Sequence, residues 1–228
     1  MVTTPGTFRR ARRPEQVQLR RESILSAAQS LLEGRRVDDV SLRELGDEVG
    51  LAMSNVLRYF DSREAVFLEV LDAAWRSWLD PLEPTLRDSV RGQRTAGPAR
   101  ARRVAAVLTE SLIERPVLCE LFSVQAAVLE RKISLDYARD FKRRVFIRHD
   151  HLAALLRQAL PTLSESRSRH CARMVVALTA GLWPYSHPIP AVATALSELG
   201  QPHADDNFRA TLRKALEYQL VGACVDNS

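Results

Sequence analysis

The sequence predicts an all-α protein in which a small N-terminal helical unit precedes a larger helical one. Apolar residues recur every three or four positions along most of the 228-residue chain, which is the period of an amphipathic helix. No segment of useful length alternates between apolar and polar residues as a half-buried strand does. Prolines and glycines divide the chain into segments of ordinary helix length, and a hydrophobic content of 46% is enough for a packed core.

The composition argues against several classes of protein. The three cysteines, Cys119, Cys171 and Cys224, are odd in number and far apart, so neither a disulfide framework nor a metal site is indicated. The N-terminus lacks the apolar segment of a signal peptide, and no uncharged apolar run approaches the roughly 20 residues that span a bilayer. Sequence fingerprints of hydrolases, phosphate loops and dinucleotide sites are missing. We therefore expect a soluble, cytoplasmic protein that is not an enzyme and uses no metal or cofactor.

Positive charge is concentrated at the N-terminus. Residues 1–21 contain six arginines and one glutamate, so this segment alone carries a net charge of +5, equal to that of the whole chain. We expect residues 1–16 to form a flexible basic arm that includes Arg12 and Arg13. The first helix is predicted over 16–34, where apolar residues form one stripe and Gly34 ends the helix.

Residues 41–63 predict a helix-turn-helix. Ser41 and Glu44 have the spacing of a capping box, and Gly50 can adopt the left-handed conformation that ends a helix. A second short helix comes next, with apolar residues at helical spacing on one side. Its other side carries hydrogen-bonding and cationic side chains, which suit the edges of bases in a major groove. These side chains are Ser54, Asn55, Arg58 and Tyr59.

The remaining chain also shows only helical periodicity. A connecting helix is predicted from Asp61 or Ser62 to Pro81, followed by a loop-rich segment over 81–100 that contains several prolines and glycines. Six further helices are predicted, over 101–114, 117–132, 136–160, 165–183, 191–199 and 205–223.

The organisation of residues 17–70 resembles the TetR/AcrR family of transcriptional regulators. The resemblance lies in the helix over 24–32, Ser-Leu-Arg-Glu-Leu at 41–45, Gly-Leu at 50–51, Tyr-Phe at 59–60 and Ser-Arg-Glu-Ala at 62–65. Three positions depart from the family pattern. Leu57 stands where the family usually has Tyr, Tyr59 where it usually has His, and Gly46 where it usually has Ala.

The resemblance and the chemistry of the side chains together predict the contacts with DNA. Ser54, Asn55 and Arg58 can reach base edges, with Arg preferring guanine and Asn adenine. Ser41, Tyr59 and Arg63 are predicted phosphate contacts, and Arg43 occupies a position that often touches DNA in the family. The arm with Arg12 and Arg13 is either a solvated tail or a minor-groove contact. The predicted DNA-binding residues are Ser41, Arg43, Ser54, Asn55, Arg58, Tyr59, Arg63, Arg12 and Arg13.

For the larger unit, the resemblance implies a homodimer and a small-molecule effector. The helices over 165–183 and 205–223 would form the dimer contact, which implies a palindromic operator. We expect a largely apolar effector bound by a few polar groups. The side chains that could line its pocket are Trp75, Trp78, Cys119, Phe122, Tyr137, Phe141, His149, Trp183 and Tyr185.

The resulting prediction has three parts: a basic arm over 1–16, a helix-turn-helix DNA-binding domain over 17–64, and an effector-binding and dimerisation domain over 65–228. The predicted function is a homodimeric repressor that a small-molecule effector releases from double-stranded DNA at a palindromic operator. Two alternatives remain open. One is an activator or a regulator without a ligand, and the other is an all-α binding protein or enzyme that does not bind DNA.

Overall fold

The computed structural model describes residues 14–92, 97–201 and 204–225, without the side chains of 204–206. Arg12 and Arg13 of the predicted arm lie outside the described residues. In the described part the chain forms ten α-helices and two short 3-10 turns, and no strand, which confirms the all-α prediction. The helices are α1 (Pro14–Leu31), α2 (Leu42–Glu48), α3 (Met53–Val56), α4 (Arg63–Ser89), α5 (Pro98–Ile113), α6 (Pro116–Val124), α7 (Leu135–Ala159), α8 (Glu165–Ser186), α9 (Pro190–Glu198) and α10 (Ala204–Cys224).

Helix α1 packs on both α2 and α4, and α2 in turn packs on α3. Ile24 and Ala28 of α1, Leu45 of α2 and Val56 of α3 are fully buried in one core with the first turns of α4. Ser62 is the N-cap of α4, because its hydroxyl oxygen accepts the backbone N–H of Ala65 at 3.0 Å. The burial of these apolar side chains in a common core fixes α2 and α3 relative to α4, whose first turn the cap stabilises.

The prediction that the connecting helix ends at Pro81 is wrong. Helix α4 continues through Pro81 and Pro84 to Ser89. Each interior proline removes one helical hydrogen bond, but Leu82 and Leu86 in this extension are buried in the core. Helix α8 likewise continues past Pro184 to Ser186, which is itself buried. In α4, apolar burial on the following turn therefore outweighs the local penalty of the prolines.

The single helix predicted over 117–132 is interrupted in the structure. Helix α6 ends at Val124, and a 3-10 turn comes after it over Leu129–Lys132. Between them the Glu130 backbone N–H donates to the carbonyl of Gln125 at 3.0 Å, which is a wider turn than an α-helix has. This change of direction buries Leu129 against α4.

Helices α4 to α8 and α10 share one core. Helix α8 packs against α6, α7 and α10, while α5 packs against α4 and α10. Helix α9 contributes no buried side chain to this core. None of the described helices is sufficiently long and apolar to cross a membrane.

A partly buried ion pair joins α4 to α7. Both carboxylate oxygens of Glu69 accept hydrogen bonds from Arg144, at 2.8 and 2.9 Å, and the Tyr137 hydroxyl donates to Glu69 at 2.8 Å. Burial alone would raise the pKa of Glu69, but the hydrogen bonds from Arg144 and Tyr137 lower this pKa below its ordinary value. Glu69 is therefore held in its charged form at neutral pH.

Candidate nucleic-acid interface

Helix α2 begins at a side-chain cap. The Ser41 hydroxyl oxygen accepts the backbone N–H of Glu44 at 3.1 Å, as the capping motif in the sequence predicts. The Glu44 carboxylate accepts a hydrogen bond from Arg35 at 2.5 Å, and this bond is the main cause of a lowered Glu44 pKa, with a smaller contribution from the backbone of Ser41. The hydroxyl hydrogen of exposed Ser41 is still available as a donor.

The turn between α2 and α3 is very tight. Gly50 has φ +63, in the left-handed region that favours glycine. The Leu51 backbone N–H donates to the carbonyl of Gly46 at 2.8 Å, and a Cβ placed on Gly46 would lie 2.5 Å from the carbonyl oxygen of Leu51. The glycine at the position where the family usually has alanine therefore permits this close approach.

Regular helix in α3 is limited to a single turn. The helix covers Met53–Val56 only, after which residues 57–60 continue as turns. Backbone N–H groups of Leu57 and Phe60 still donate to the carbonyls of Met53 and Val56, at 3.1 and 3.3 Å. The recognition element is therefore one helical turn with a hydrogen-bonded extension.

The outward side of this element is polar and cationic. Ser54 and Arg58 are exposed and Asn55 is partly exposed, while Arg43 is exposed on the neighbouring α2. Among the described residues, the side chains of Arg43, Asn55 and Arg58 meet no hydrogen-bond or ion-pair partner. These donors are therefore available to phosphates and base edges.

The structure gives Arg63 a second set of partners that the sequence did not indicate. Its Nε donates to the carbonyl of Val40 at 2.7 Å, and its Nη2 donates to the carbonyl of Val37. The guanidinium also lies 4.8 Å from the centre of the Phe67 ring. Arg63 thus fixes the loop that leads into α2, while the phosphate contact stays a prediction.

Tyr59 and α1 border an open groove of about 560 Å³, which Gln16, Leu19, Arg20 and Ser23 also line. The backbone carbonyl of Tyr59 accepts a hydrogen bond from Arg21, whose guanidinium lies 4.3 Å from the centre of the Phe60 ring. The sequence indicated Arg21 only as part of the charge count. Its role in holding the end of the recognition element depends on the packing of α1, which the sequence pattern does not reveal.

Two apolar side chains on the recognition element also face solvent. Met53 is 52% exposed and Leu57 is 41% exposed. The sequence indicated Leu57 only as the loss of a tyrosine, although the spacing of four residues places both side chains on one face of a helix. Exposed apolar side chains at this place can contact the methyl groups of thymines.

Comparison with known proteins agrees with this geometry. Residues 24–70 match the bacterial regulatory proteins of the tetR family, and residues 72–227 match the tetracyclin repressor-like C-terminal domain. The chain belongs to the TetR family. This is a family of DNA-binding transcriptional regulators that carry an N-terminal helix-turn-helix, so the predicted family and this part of the predicted function are confirmed.

One curated relative and two solved structures illustrate the similarity. The HTH-type transcriptional regulator BetI of Cronobacter sakazakii is 25% identical over 218 residues, which cover 90% of this chain and 93% of BetI. A TetR-family regulator from Mesorhizobium loti has a TM-score of 0.54 at 15% identity, covering 91% of this chain and 96% of that one. FadR from Bacillus subtilis, in complex with stearoyl-CoA, has a TM-score of 0.51 at 12% identity, with coverages of 89% and 98%. These structural likenesses show the TetR fold alone.

The nine predicted effector-binding side chains lie at several separate places in this TetR-family fold. Trp75, Phe122 and His149 form one aromatic cluster, with ring centres of Phe122 and His149 at 4.8 and 4.9 Å from that of Trp75. Tyr137 stacks on Phe141 beside the Glu69 ion pair.

The other four predicted residues have unrelated surroundings. Trp78 donates from its indole to Ser111 at 2.9 Å, and the Cys119 thiol donates to the carbonyl of Leu112 at 3.3 Å. Trp183 is buried, whereas Tyr185 is 80% exposed. The structure therefore does not bring the nine side chains together around one pocket.

The cluster around Trp75 contains unused hydrogen-bonding capacity. The Trp75 indole N–H is buried without a hydrogen-bond partner among the described residues. His149 Nδ1 lies 3.0 Å from the carbonyl of Val145, so Nδ1 carries the proton and Nε2 of the neutral ring is an acceptor. Burial lowers the pKa of His149, which favours the neutral ring.

Helices α8 and α10 pack together and present small and aromatic residues outwards. The Gln219 side-chain amide donates to the carbonyl of Cys171 at 3.4 Å across this contact. Gly181 and Gly222 have nothing within 4 Å of the position of an added Cβ, so both face open space in the single subunit. The exposed residues of this surface are His170, Arg173, Ala177, Gly181, Tyr185, Thr211, Lys214, Tyr218, Gly222 and Val225.

Proposed function

We propose that this TetR-family regulator is a homodimeric repressor that binds a palindromic operator and leaves it when a small-molecule effector binds. The observation that carries the DNA-binding part is the outward side of α2 and α3, where Arg43, Asn55 and Arg58 have unused donors beside the capped start of α2. We assign DNA recognition to residues 17–64 and effector binding and dimerisation to residues 65–228. Its site of action would be the cytoplasm, where operator DNA is accessible.

The experiment that tests DNA recognition is selection of bound duplexes from random DNA, followed by affinity measurement at several salt concentrations. We expect Asn55→Ala and Arg58→Ala each to weaken binding by about 5- to 150-fold, because a bidentate contact to a base discriminates by about 1–3 kcal/mol. Arg102→Ala is the matched control, since Arg102 is exposed on α5 away from this surface. Equal affinities for Arg58→Ala and Arg102→Ala would contradict the assignment.

The outward surface of α8 and α10 supports the dimer. It combines two glycines with exposed Tyr185 and Tyr218, and such a surface lets two helix pairs approach closely and buries aromatic rings. Gly181→Leu adds a side chain that meets open space in the subunit but would collide across a dimer contact. We expect sedimentation at micromolar concentration to show a folded 25.6 kDa species for this variant and twice that mass for the wild type.

For the dimer test, Ala154→Leu on the exposed side of α7 is the control, and we expect it to remain dimeric. A wild-type protein that sediments only as a single subunit would refute the dimer. A Gly181→Leu variant that still dimerises would place the contact on another surface.

Effector binding is assigned to the cluster of Trp75, Phe122 and His149. A ligand with one acceptor and one donor can satisfy both the indole N–H and His149 Nε2 within apolar surroundings. Release results if the effector binds more tightly to the conformer that does not fit the operator. The test is a screen of small molecules for release of the selected duplex, repeated with Trp75→Phe. An effector whose potency is unchanged by Trp75→Phe would exclude this cluster.

A further inference from the structure

The backbone N–H and the backbone carbonyl of Val37 are both hydrogen-bonded to side chains, one of which is far away in sequence. Val37 belongs to the 3-10 turn between α1 and α2 and is fully buried. Its carbonyl accepts a hydrogen bond from Arg63 of α4, while its backbone N–H donates to Glu120 Oε1 of α6 at 3.1 Å. The loop in front of the helix-turn-helix is therefore fixed by two different helices.

The second oxygen of Glu120 is also engaged. The indole Nε1 of Trp183 on α8 donates to Glu120 Oε2 at 3.0 Å. Glu120 is 8% exposed and Trp183 is 6% exposed, so both hydrogen bonds are shielded from water. A shielded carboxylate that accepts two N–H groups is held strongly, because hydrogen bonds to a charged group are stronger than neutral ones.

Trp183 is itself fixed by the helices of the proposed dimer surface. Its ring stacks on His187 near the end of α8, with ring centres 3.7 Å apart, and meets the edge of Phe208 on α10 at 5.2 Å. A change in how α8 and α10 pack therefore moves the indole N–H that Glu120 accepts.

The loop position affects DNA recognition because the loop leads directly into α2. Val40 is buried and held by Arg63, and the next residue, Ser41, caps α2. The tight turn at Gly50 then ties α2 to α3. A displacement of Val37 therefore displaces the surface that carries Asn55 and Arg58.

We propose that Glu120 is a positioning residue for DNA recognition, which links the indole of Trp183 on α8 to the loop that orients the helix-turn-helix. The proposal rests on the proposed function, since it concerns the same recognition surface. Glu120 does not contact DNA in this scheme. It acts through Val37. Its two carboxylate oxygens couple the packing of α8 and α10 to the position of the recognition surface.

The chain offers a matched pair of variants for the test. Trp183→Phe removes the hydrogen bond to Glu120, and Trp78→Phe removes the comparable bond from a fully buried indole to Ser111. Both variants lose the same atoms from the same large core. A general loss of packing would affect both variants alike. Loss of the hydrogen-bonded link to the Val37 loop would affect only Trp183→Phe. Glu120→Gln is the third variant, because it preserves shape but offers an amide donor to one of the two N–H groups.

The first measurement is the affinity for the duplex that the wild type selects from random DNA. We expect Trp183→Phe and Glu120→Gln to bind at least about tenfold more weakly than Trp78→Phe, at similar melting temperatures of the two tryptophan variants. If the wild type binds and both variants match Trp78→Phe, the positioning role is refuted. If the wild type selects no duplex, the proposed function fails, and the second measurement still decides the link.

The second measurement is hydrogen exchange of the Val37 amide without DNA. We expect Trp183→Phe and Glu120→Gln to speed exchange at Val37 by about tenfold or more, while Trp78→Phe leaves it near the wild-type rate. Equal exchange at Val37 in the two tryptophan variants would overturn the link between Trp183 and the loop, whatever the DNA measurement shows.

Discussion

Substitution of Gly46 by alanine should destabilise the helix-turn-helix. By helix propensity alone the change is favourable, because glycine in a helix interior is less favourable than alanine by up to about 1 kcal/mol. The family resemblance suggests the same, since alanine is usual at this position. In this chain, however, the new Cβ would lie 2.5 Å from the carbonyl oxygen of Leu51 and 3.5 Å from the backbone nitrogen of Met53.

The size of the effect depends on which atoms must move. Non-bonded heavy atoms are most stable about 3.5–4 Å apart, so α2 and the turn would have to separate by about 1 Å. The obstacle is backbone, which cannot rotate away as a side chain can. The same movement stretches the 2.8 Å hydrogen bond from the Leu51 N–H to the carbonyl of Gly46. Overpacking costs about 1–3 kcal/mol and the hydrogen bond about 1 kcal/mol, against a propensity gain of about 1 kcal/mol. We therefore expect a net loss of about 1–3 kcal/mol.

Hydrogen exchange of the α2 and α3 amides is the appropriate assay, because it reports local stability in a chain that can open in parts. Exchange in these helices should be faster in Gly46→Ala, while exchange in α5 and α10 should be unchanged. Asp47→Ala is the control, since Asp47 is exposed on the same helix and its replacement also raises helix propensity. Protection in Gly46→Ala equal to or above that of the wild type would refute the steric argument.

Three further predictions concern the exposed leucine of the recognition surface, the ion pair between α4 and α7, and the loop that leads into α2. Replacing thymine by uracil in the selected duplex should weaken wild-type binding by about fourfold per contacted methyl group, and Leu57→Ala should be insensitive to this replacement. Glu69→Gln should lower the free energy of unfolding by about 1.5–3 kcal/mol at neutral pH. The folded pKa of Glu69 is lowered, so this difference should be complete above the ordinary pKa of about 4.3 and should shrink as the pH falls through the folded value. Arg63→Gln should weaken DNA binding, because the guanidinium holds two backbone carbonyls of the loop before α2. Loss of the predicted phosphate contact as well should reduce the slope of log affinity against log salt by about 0.9, whereas an unchanged slope would refute that contact.

Local signals in the sequence predicted the helix starts well. Ser41 and Ser62 each accept a backbone N–H three residues further on, which is the interaction that makes serine a frequent N-cap. Gly50 likewise adopts the predicted left-handed conformation. These features depend on neighbours within one turn, so a pattern of a few residues contains the information.

The errors arise where distant contacts outweigh local preferences. Pro81 predicts a helix end, but burial of Leu82 and Leu86 in the common core stabilises the continuation of α4. The aromatic residues of the larger unit gave no information about their grouping, because Trp183 and Glu120 are 63 positions apart and meet only after α6 and α8 pack. Residue types can suggest a pocket, but they cannot indicate which helices will face one another.

The departures from the family pattern in the recognition element are physically related. Gly46 allows α2 and the turn to approach closely, and the short α3 after this turn leaves Met53 and Leu57 exposed next to Arg58. Leu57 cannot donate a hydrogen bond to phosphate as the usual tyrosine can, but it can bury a thymine methyl group. Because the tyrosine hydroxyl is uncharged, its loss should leave the salt dependence of binding almost unchanged, while the apolar contact makes binding more dependent on sequence. We therefore expect an operator with thymines beside the base that Arg58 contacts. Contact with these thymines should require the closely packed turn between α2 and α3.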